Sequence, residues 1–297
     1  MGMTVQDHLD ADLWYRCENE LGEGPVAHRG RGSLIWFDVL NRRVFERSFS
    51  GGETREHVLD VMASAAALVD DRHALIATEV DLRLLDLDAG TTKPVVPFLE
   101  KEFDLRSNDG AVHPSGAFWI SSMGKNAEPE AGGIWWFLDG ELRLLFDRIT
   151  IPNTISFTPG GDAAYFSDSA KRTIWRVPTD PETGLPRGEP VMFRQLHDEG
   201  APDGAVVDAD GRLWIACWGG SAVYAWNPDG TVFDICRLPV SQPSCPAFFG
   251  ADLDEIAVTT AREHMSADQI AAEQLAGSVF KLRRKVRGVA EPFVRIG

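Results

Sequence analysis

Short apolar runs alternate with polar, glycine-rich gaps along the whole chain. A unit of the pattern contains a run such as LIWFD, a gap, and a second run with an aromatic residue, such as RRVFER. The same pairing recurs as ALIAT and LRLLDL, AFWISS and GGIWWF, AAYFSD and RTIWRV, RLWIAC and AVYAW, and EIAVTT and GSVFKL. Runs rich in β-branched and aromatic side chains, bounded by Gly, Pro, Asp and Asn, predict β-strands. The sequence therefore predicts an all-β fold of six similar units.

The units recur at a regular spacing. Each opens with a polar or small residue, and the equivalent positions are Glu23, Ser64, Asn108, Asn153, Asp203 and Ser244. Successive openings lie 41 to 50 residues apart, and glycine follows Asn108, Asn153 and Asp203 eight positions later. A period of this length with several short strands is typical of β-propeller blades. A β-sandwich does not explain the period, and a TIM barrel needs helices where these gaps are polar. We therefore expect a six-bladed β-propeller.

Two segments lie outside the repeat. Residues 11–19 are expected to supply a strand that closes the ring and removes an exposed edge. Ser266 and Gln269 have the spacing of a capping box, which predicts a helix through IAAEQLA that stops at Gly277. We place this helix as a short insertion in the last blade. No linker is visible, so residues 1–297 are predicted to form a single domain.

Composition excludes several classes of partner. The 297 residues include 29 Lys and Arg against 45 Asp and Glu, a net charge of −16, which disfavours nucleic-acid binding. No apolar run approaches the roughly 18 residues of a membrane helix, and the N-terminus lacks the pattern of a signal peptide. The four cysteines form no CxxC pair, which indicates free thiols in a reducing compartment. We expect a cytoplasmic monomer that contacts neither nucleic acid nor membrane.

The repeat also predicts a site. Because the first strand of each propeller blade lines the central channel, Glu23, Asn108, Asn153 and Asp203 should lie together at one mouth. Confined carboxylates repel each other and are costly to bury, and a divalent cation removes both costs. Oxygen ligands suit Ca²⁺, Mg²⁺ or Mn²⁺, and Zn²⁺ and Fe²⁺ also accept them. The alternative is that these side chains satisfy backbone donors in turns. Trp218, which follows a strand, is a further candidate to face a ligand.

At these residues the sequence resembles the regucalcin/gluconolactonase family, also called the senescence-marker-protein family. The resemblance covers nearly the whole chain and is carried by the segments LGEGPVAH, RSNDGAVHPSGAFWISSM, IPNTISFTPGGDAAYFSDSAKRTIWRV, APDGAVVDADGRLWIACWGG and TTAREHMSADQIAAEQLAGSVFKL. The last two segments are more similar to bacterial sugar-acid lactonases than to animal regucalcin.

The resemblance implies a six-bladed propeller and metal-dependent opening of aldonolactones, such as glucono-, xylono-, arabinono- or galactonolactone, to aldonic acids. It gives metal-ligand roles to Glu23, Asn153 and Asp203, and the role of general base to Asp203. It gives substrate-orienting roles to Arg106 and Asn108. One divalent ion is the implied cofactor, and no organic cofactor is needed.

One segment departs from the family pattern. After the SSMG strand the family often places an acidic substrate contact, whereas this chain reads KNAEPEAGG. Lys125 or Asn126 can occupy that place, and Glu128 is the nearest carboxylate; we take Asn126 as the candidate substrate contact. Two alternatives to the lactonase stay open: a metal-dependent esterase or organophosphate hydrolase, and a non-enzymatic calcium-binding or interaction propeller.

Overall fold

Six four-stranded antiparallel sheets form the blades of a β-propeller, as the repeat predicted. The computed structural model describes residues 9–99 and 104–297. Neighbouring innermost strands contact each other around the ring, and the last of them contacts the first. These six strands, numbered in chain order with all others, are β2 Gly22–His28, β6 Ala63–Leu68, β10 Leu105–Val112, β14 Pro152–Phe157, β18 Ala201–Val207 and β22 Pro243–Phe249.

The remaining strands follow outward in each blade. The second strands are β3 Ser33–Asp38, β7 His73–Thr78, β11 Phe118–Gly124, β15 Ala163–Asp168, β19 Leu213–Trp218 and β23 Glu255–Thr260. The third strands are β4 Arg43–Ser48, β8 Asp81–Asp86, β12 Gly132–Leu138, β16 Thr173–Pro178, β20 Ala222–Trp226 and β24 Val279–Leu282. The outermost strands are β5 Thr54–Val58, β9 Thr92–Pro97, β13 Glu141–Ile149, β17 Val191–Gln195, β21 Val232–Arg237 and, in the last blade, β1 Ala11–Tyr15.

The N-terminal strand closes the ring. β1 pairs antiparallel with β24, so that Ala11 lies opposite Leu282, and the sixth blade combines the two ends of the chain. The predicted closing strand of residues 11–19 is too long, because strand pairing ends at Tyr15. Beyond that residue the chain leaves the ladder toward β2, and the Asn19 amide donates to the carbonyl of Gly277 at 3.1 Å.

The hydrophobic core lies between the blades. Second strands such as β3 and β15 are buried along their whole length, whereas outermost strands such as β5 are largely exposed. Clusters of buried side chains join neighbouring blades; Ile35 of the first blade and Ile76 of the second belong to one cluster. Burial of apolar surface at about 25 cal/mol per Å² therefore holds each blade against the next.

The predicted helix is present but shorter than expected. α1 spans Ala267–Ala272 between β23 and β24, with Ser266 as its N-cap. The capping box is confirmed: the Gln269 amide donates to Ser266 Oγ at 3.3 Å, and the Ser266 amide donates to Gln269 Oε1 at 2.8 Å. The helix ends before the predicted stop at its C-cap, Glu273, whose backbone is not helical (φ −112°, ψ 63°) and whose carboxylate accepts from the Ser241 amide at 2.7 Å. Within the described ranges, no helix is long and apolar enough to cross a membrane.

Candidate active site

A cavity of about 360 Å³ opens where the inner strands begin. It is lined by the six residues to which the sequence gives a metal-binding or substrate-binding role, namely Glu23, Arg106, Asn108, Asn126, Asn153 and Asp203. Trp218, at the end of β19, also lines it. These residues come from the first, third, fourth and fifth blades, so only the closed ring brings them together.

A second, larger cleft of about 500 Å³ lies on the first blade, away from the channel. Its charged side chains are already paired with each other: Arg31 Nε lies 2.6 Å from Glu46 Oε1, and Arg55 Nη1 lies 3.0 Å from Glu46 Oε2. The smaller axial cavity is therefore the better candidate site, because its Glu23, Asp203 and Arg106 form no ion pair within the described part of the chain.

β-Bulges aim the polar side chains of the inner strands at the axis. The pairing register shifts between Glu23 and Val26 in β2, between Asn153 and Ser156 in β14, and next to Asp203 in β18. A bulge bends a strand and redirects a side chain that would otherwise alternate with its neighbours. The extra residue explains why the opening positions face the channel in each of these blades.

The backbone next to Asn153 is strained. Thr154 has a φ of 65°, a conformation that is unfavourable for a β-branched residue by roughly 1–3 kcal/mol. Its buried hydroxyl donates to the backbone carbonyl of Asp203 at 2.7 Å and lies 2.8 Å from Ser167 Oγ. The strained turn in β14 is thus tied to the backbone that carries Asp203 in β18.

A chain of hydrogen bonds links three blades across the cavity wall. Arg106 Nη1 donates to Asn108 Oδ1 at 2.7 Å, and Asn108 Nδ2 donates to Asn153 Oδ1 at 3.0 Å. Asn153 Nδ2 donates to Ser169 Oγ at 2.9 Å, and Ser169 Oγ donates to the Pro202 carbonyl at 2.5 Å. Each amide is thereby held in one orientation, with Asn153 Oδ1 retaining capacity for one further contact.

Two carboxyl groups in the cavity are destabilised as anions. Burial, followed by the charge of Asp109, raises the pKa of Glu23 to about 8. Burial and the nearby Glu23 raise the pKa of Asp203 well above its ordinary value. Glu23 is half-buried because it lines the cavity, and its Oε2 accepts from the Gly24 amide at 3.0 Å. Asp203 is only 6% exposed, and no described residue donates a hydrogen bond to its carboxylate.

Asp109 is a further buried acid that the sequence did not nominate. It accepts from the Ile155 amide at 2.7 Å and from its neighbour Gly110 at 2.8 Å. Burial nevertheless raises its pKa to about 7. Asp109 therefore has the structural role that is the alternative to metal binding: its carboxylate oxygens satisfy backbone donors.

Arg106 is the buried cation of the site. Burial lowers the pKa of its guanidinium, while the charges of Glu263, Glu23 and Asp203, in that order, oppose the shift. Its Nη1 is used on the Ser107 carbonyl at 3.0 Å and on Asn108. A guanidinium has five N–H groups, so three donors, on Nε and Nη2, are not used in these bonds.

The loop that departs from the family pattern forms the cavity rim. Asn126 lines the cavity, and its Nδ2 donates to Glu128 Oε1 at 2.9 Å. Lys125 also lines it, but its Nζ lies 2.8 Å from Glu79 Oε2 and 3.1 Å from Asp104 Oδ1. The lysine charge is therefore already matched by carboxylates of this chain.

Glu263 and Ser169 line the cavity and were missed by sequence reasoning. Both follow a second strand, β23 or β15, whereas the repeat singles out the starts of the first strands. In an antiparallel pair the end of the second strand lies beside the start of the first. The residues just after each second strand were therefore the available signal.

The donor set fits a hard divalent cation. No three His, Cys, Asp or Glu side chains cluster as metal ligands anywhere in residues 9–99 and 104–297. A site here therefore requires an amide oxygen, which Asn153 offers beside the carboxylates of Glu23 and Asp203. Two buried carboxylates with raised pKa values form a pair of charges that a divalent ion would neutralise.

Comparison with known proteins defines the class. Residues 21–262 match the family model described as SMP-30/Gluconolactonase/LRE-like region, and the chain belongs to this family. The resemblance noted in the sequence is thereby confirmed.

Three members of the comparison are similar to this protein over nearly the whole chain. A protein of Rhizobium meliloti (strain 1021) with the provisional name sugar lactone lactonase is 40% identical over 282 residues, 94% of this chain and 95% of that protein. The L-arabinolactonase of Azospirillum brasilense is 34% identical over 286 residues, 94% of each chain. The crystal structure of a calcium-binding protein, regucalcin, from Agrobacterium tumefaciens str. C58 superposes with a TM-score of 0.94 at 38% identity, covering 97% of this chain and 98% of that one.

Proposed function

We propose that this protein is a metal-dependent lactonase that opens aldonolactones to aldonic acids. The observation that carries the proposal is a single cavity holding the carboxylates of Glu23 and Asp203, the amide of Asn153 and the guanidinium of Arg106. Similarity to an L-arabinolactonase over 94% of the chain supports sugar lactones as the substrate class.

Glu23, Asn153 and Asp203 would hold the metal ion. When bound, a divalent cation supplies Lewis acidity toward an ester carbonyl and makes water more acidic. Ca²⁺, Zn²⁺, Mg²⁺, Mn²⁺ and Fe²⁺ all accept oxygen ligands. The calcium-binding description of the Agrobacterium relative supports Ca²⁺ as the first ion to test.

Asp203 acts as the general base. Burial raises the pKa of its carboxyl group well above the ordinary value, which makes its carboxylate a stronger base. Its carboxylate takes a proton from the water that attacks the lactone carbonyl. The acyl–oxygen bond of the ring then breaks, and the protonated Asp203 returns its proton to the leaving ring oxygen. The product is the open-chain hydroxy acid.

Arg106 orients the substrate, and Asn108 orients Arg106 and Asn153. The unused N–H groups of Arg106 are suited to substrate oxygens, and a guanidinium holds them in fixed directions. Asn108 donates to Asn153 and accepts from Arg106, so it orients both a proposed ligand and a proposed substrate contact. Asn126, which lines the cavity at its rim, is the third proposed substrate contact.

The decisive test is acid release from a panel of glucono-, xylono-, arabinono- and galactonolactone, followed by pH-stat with and without chelator. We expect hydrolysis above the spontaneous rate, its loss with chelator, and its return with one divalent ion. An absence of enzymatic acid release with every ion tested contradicts the proposal, whereas a preference for aryl esters or organophosphates reassigns the substrate.

A non-enzymatic calcium-binding role is the second candidate, favoured by the description of the Agrobacterium relative. It predicts calorimetric binding of Ca²⁺ without hydrolysis of any lactone. Buried Arg106, which forms no ion pair with the residues that the structure describes, distinguishes the two roles, because metal binding alone gains nothing from a cation in the same cavity.

We also propose that residues 1–297 act as one domain and as a monomer in the cytoplasm. The four cysteines support a reducing compartment: Cys17, Cys217, Cys236 and Cys245 are all free thiols.

A further inference from the structure

Glu263 lies across the channel from Arg106. Arg106 belongs to β10 in the third blade, and Glu263 follows β23 in the sixth, so the two residues come from opposite blades of a six-bladed ring. Both line the axial cavity. No ion pair within 4.0 Å joins them in the part of the chain that the structure describes, yet Glu263 exerts the largest attraction on the Arg106 charge. The Arg106 guanidinium and the Glu263 carboxylate therefore lie on opposite sides of the cavity, more than 4.0 Å apart.

The backbone of Glu263 is fixed, whereas no residue of 9–99 and 104–297 donates a hydrogen bond to its carboxylate. The amides of Arg262 and Glu263 both donate to the Glu20 carbonyl, at 2.9 and 2.8 Å. Gln242 Nε2 donates to the Glu263 carbonyl at 3.0 Å. The nearest basic group to its carboxylate is His264 Nε2, 3.8 Å from Oε1, which is beyond hydrogen-bond distance. The side chain is 20% exposed and retains its capacity to accept.

A ligand between these residues meets donors on one side and an acceptor on the other. Arg106 offers N–H groups and cannot accept, while an ionised Glu263 accepts and cannot donate. A hydroxyl group is the common chemical group that satisfies both, and a sugar ring carries several. The carboxylates of Glu23 and Asp203 lie in the same cavity, and the Lys125 charge is matched by Glu79 and Asp104.

We infer that Glu263 determines substrate specificity by accepting a hydrogen bond from a ring or side-chain hydroxyl of the lactone, on the side of the cavity opposite Arg106. This inference rests on the proposed function and deepens it. Glu263 selects neutral polyhydroxylated lactones. It rejects the analogue that lacks the hydroxyl, because a buried acceptor is then left unmatched, and it repels an analogue with an anionic group there.

The test compares Glu263→Ala and Glu263→Gln with the wild type on gluconolactone, its monodeoxy series and glucarolactone, whose chain ends in a carboxylate. In the wild type we expect one deoxy analogue to be penalised roughly 10- to 100-fold in kcat/KM. In Glu263→Ala we expect kcat/KM to fall for gluconolactone, mainly through a higher KM, and to stay unchanged for that deoxy analogue. The difference between the two substrates should therefore disappear. Glu263→Gln should improve the ratio of glucarolactone to gluconolactone. Unchanged ratios in both variants overturn the inference.

Two controls separate this role from others. Glu18→Gln removes a nearby carboxylate that is 72% exposed and paired with Arg262, and it should leave every ratio unchanged. Calorimetric affinity for Ca²⁺ should fall far less in Glu263→Ala than in Glu23→Ala, because the charge of Glu263 acts on Glu23 and Asp203 but supplies no ligand. A loss of affinity as large as that in Glu23→Ala would make Glu263 a metal ligand and overturn the inference.

Binding of gluconolactam, a non-ester analogue, distinguishes this inference from the proposed function. If the wild type binds the lactam but hydrolyses no lactone, the proposed function fails, and weaker lactam binding by Glu263→Ala still supports the inference. If the wild type hydrolyses lactones but Glu263→Ala binds lactam and deoxylactam as the wild type does, only the inference fails. If the wild type binds no lactam, the inference is overturned.

Discussion

Asn108 Nδ2 donates a hydrogen bond to Asn153 Oδ1 at 3.0 Å, although the residues are 45 positions apart and belong to neighbouring blades. The same Asn108 accepts from Arg106 through Oδ1. One amide therefore sets the orientation of a proposed metal ligand and of a proposed substrate contact, and its two ends can be tested separately.

Replacing Asn108 should affect both partners. In Asn108→Ala we expect kcat/KM to fall by roughly 10- to 100-fold and metal affinity to fall by a few-fold, because Asn153 and Arg106 lose their fixed orientations. In Asn108→Asp the acceptor for Arg106 remains and the donor to Asn153 is lost. Calorimetry and initial rates check the pair; equal metal affinity in wild type and Asn108→Ala would contradict the positioning role.

Asp203→Asn should separate catalysis from stability. Removal of the proposed base is expected to lower kcat by about 100-fold or more. The metal-free variant should be as stable as the wild type or more so, because burial disfavours the charged carboxylate. Rates and Tm in chelator measure the two effects. Wild-type turnover in this variant would remove Asp203 from the mechanism.

The stability of the metal-free protein should fall as pH rises. Unfolding returns the Glu23 carboxyl from a pKa of about 8 to its ordinary 4.5. Between these two pH values the unfolded chain holds fewer protons than the folded protein. The contribution of Glu23 to stability is therefore complete below pH 4.5 and is lost as the pH rises toward 8. The loss is on the order of a few kcal/mol.

Urea unfolding in chelator between pH 5 and pH 8 measures this loss. Other titrating groups also change stability over this range, so the useful quantity is the difference between wild type and Glu23→Gln, which cancels them. We expect the variant to lose less stability with rising pH. Parallel profiles would show that Glu23 has an ordinary pKa in the folded state.

Thr154→Val tests the strained turn. Valine keeps the β-branched shape at a φ of 65° but removes the hydroxyl that donates to the Asp203 carbonyl. We expect a loss of about 1–3 kcal/mol in the free energy of unfolding, because the buried carbonyl loses its donor. Metal affinity should fall with it, since the bond joins the strands that carry Asn153 and Asp203. A variant of unchanged stability would show that the hydroxyl contact contributes nothing.

The repeat predicted the blade number and the position of the cavity because equivalent strands must occupy equivalent places in a ring. Glu23, Asn153 and Asp203 could be found 180 residues apart for that reason alone. The repeat did not reveal Glu263, which follows the second strand of the last blade, because the repeat was aligned on the residues that open the first strands. Nor did it reveal Asp109, whose placement depends on a bulge between Ser107 and Gly110.

The ends of two elements lie near tertiary contacts that local patterns do not encode. Strand β1 ends at Tyr15, and Asn19 beyond it bonds to Gly277. Helix α1 ends at Ala272 although the helical pattern continues through EQLA, and Glu273 bonds there to Ser241, 32 residues away in the sequence.

The pairing of β1 with β24 sets an order on biosynthesis. More than 260 residues separate β1 from its partner strand, Val279–Leu282, so β1 is translated long before it can pair. At 5–20 residues per second, Ala11–Tyr15 must wait roughly 10–60 s with its edge unpaired. A nascent chain with five complete blades therefore still has an open sixth blade, and the ring closes only after β24 has been translated and pairs with β1.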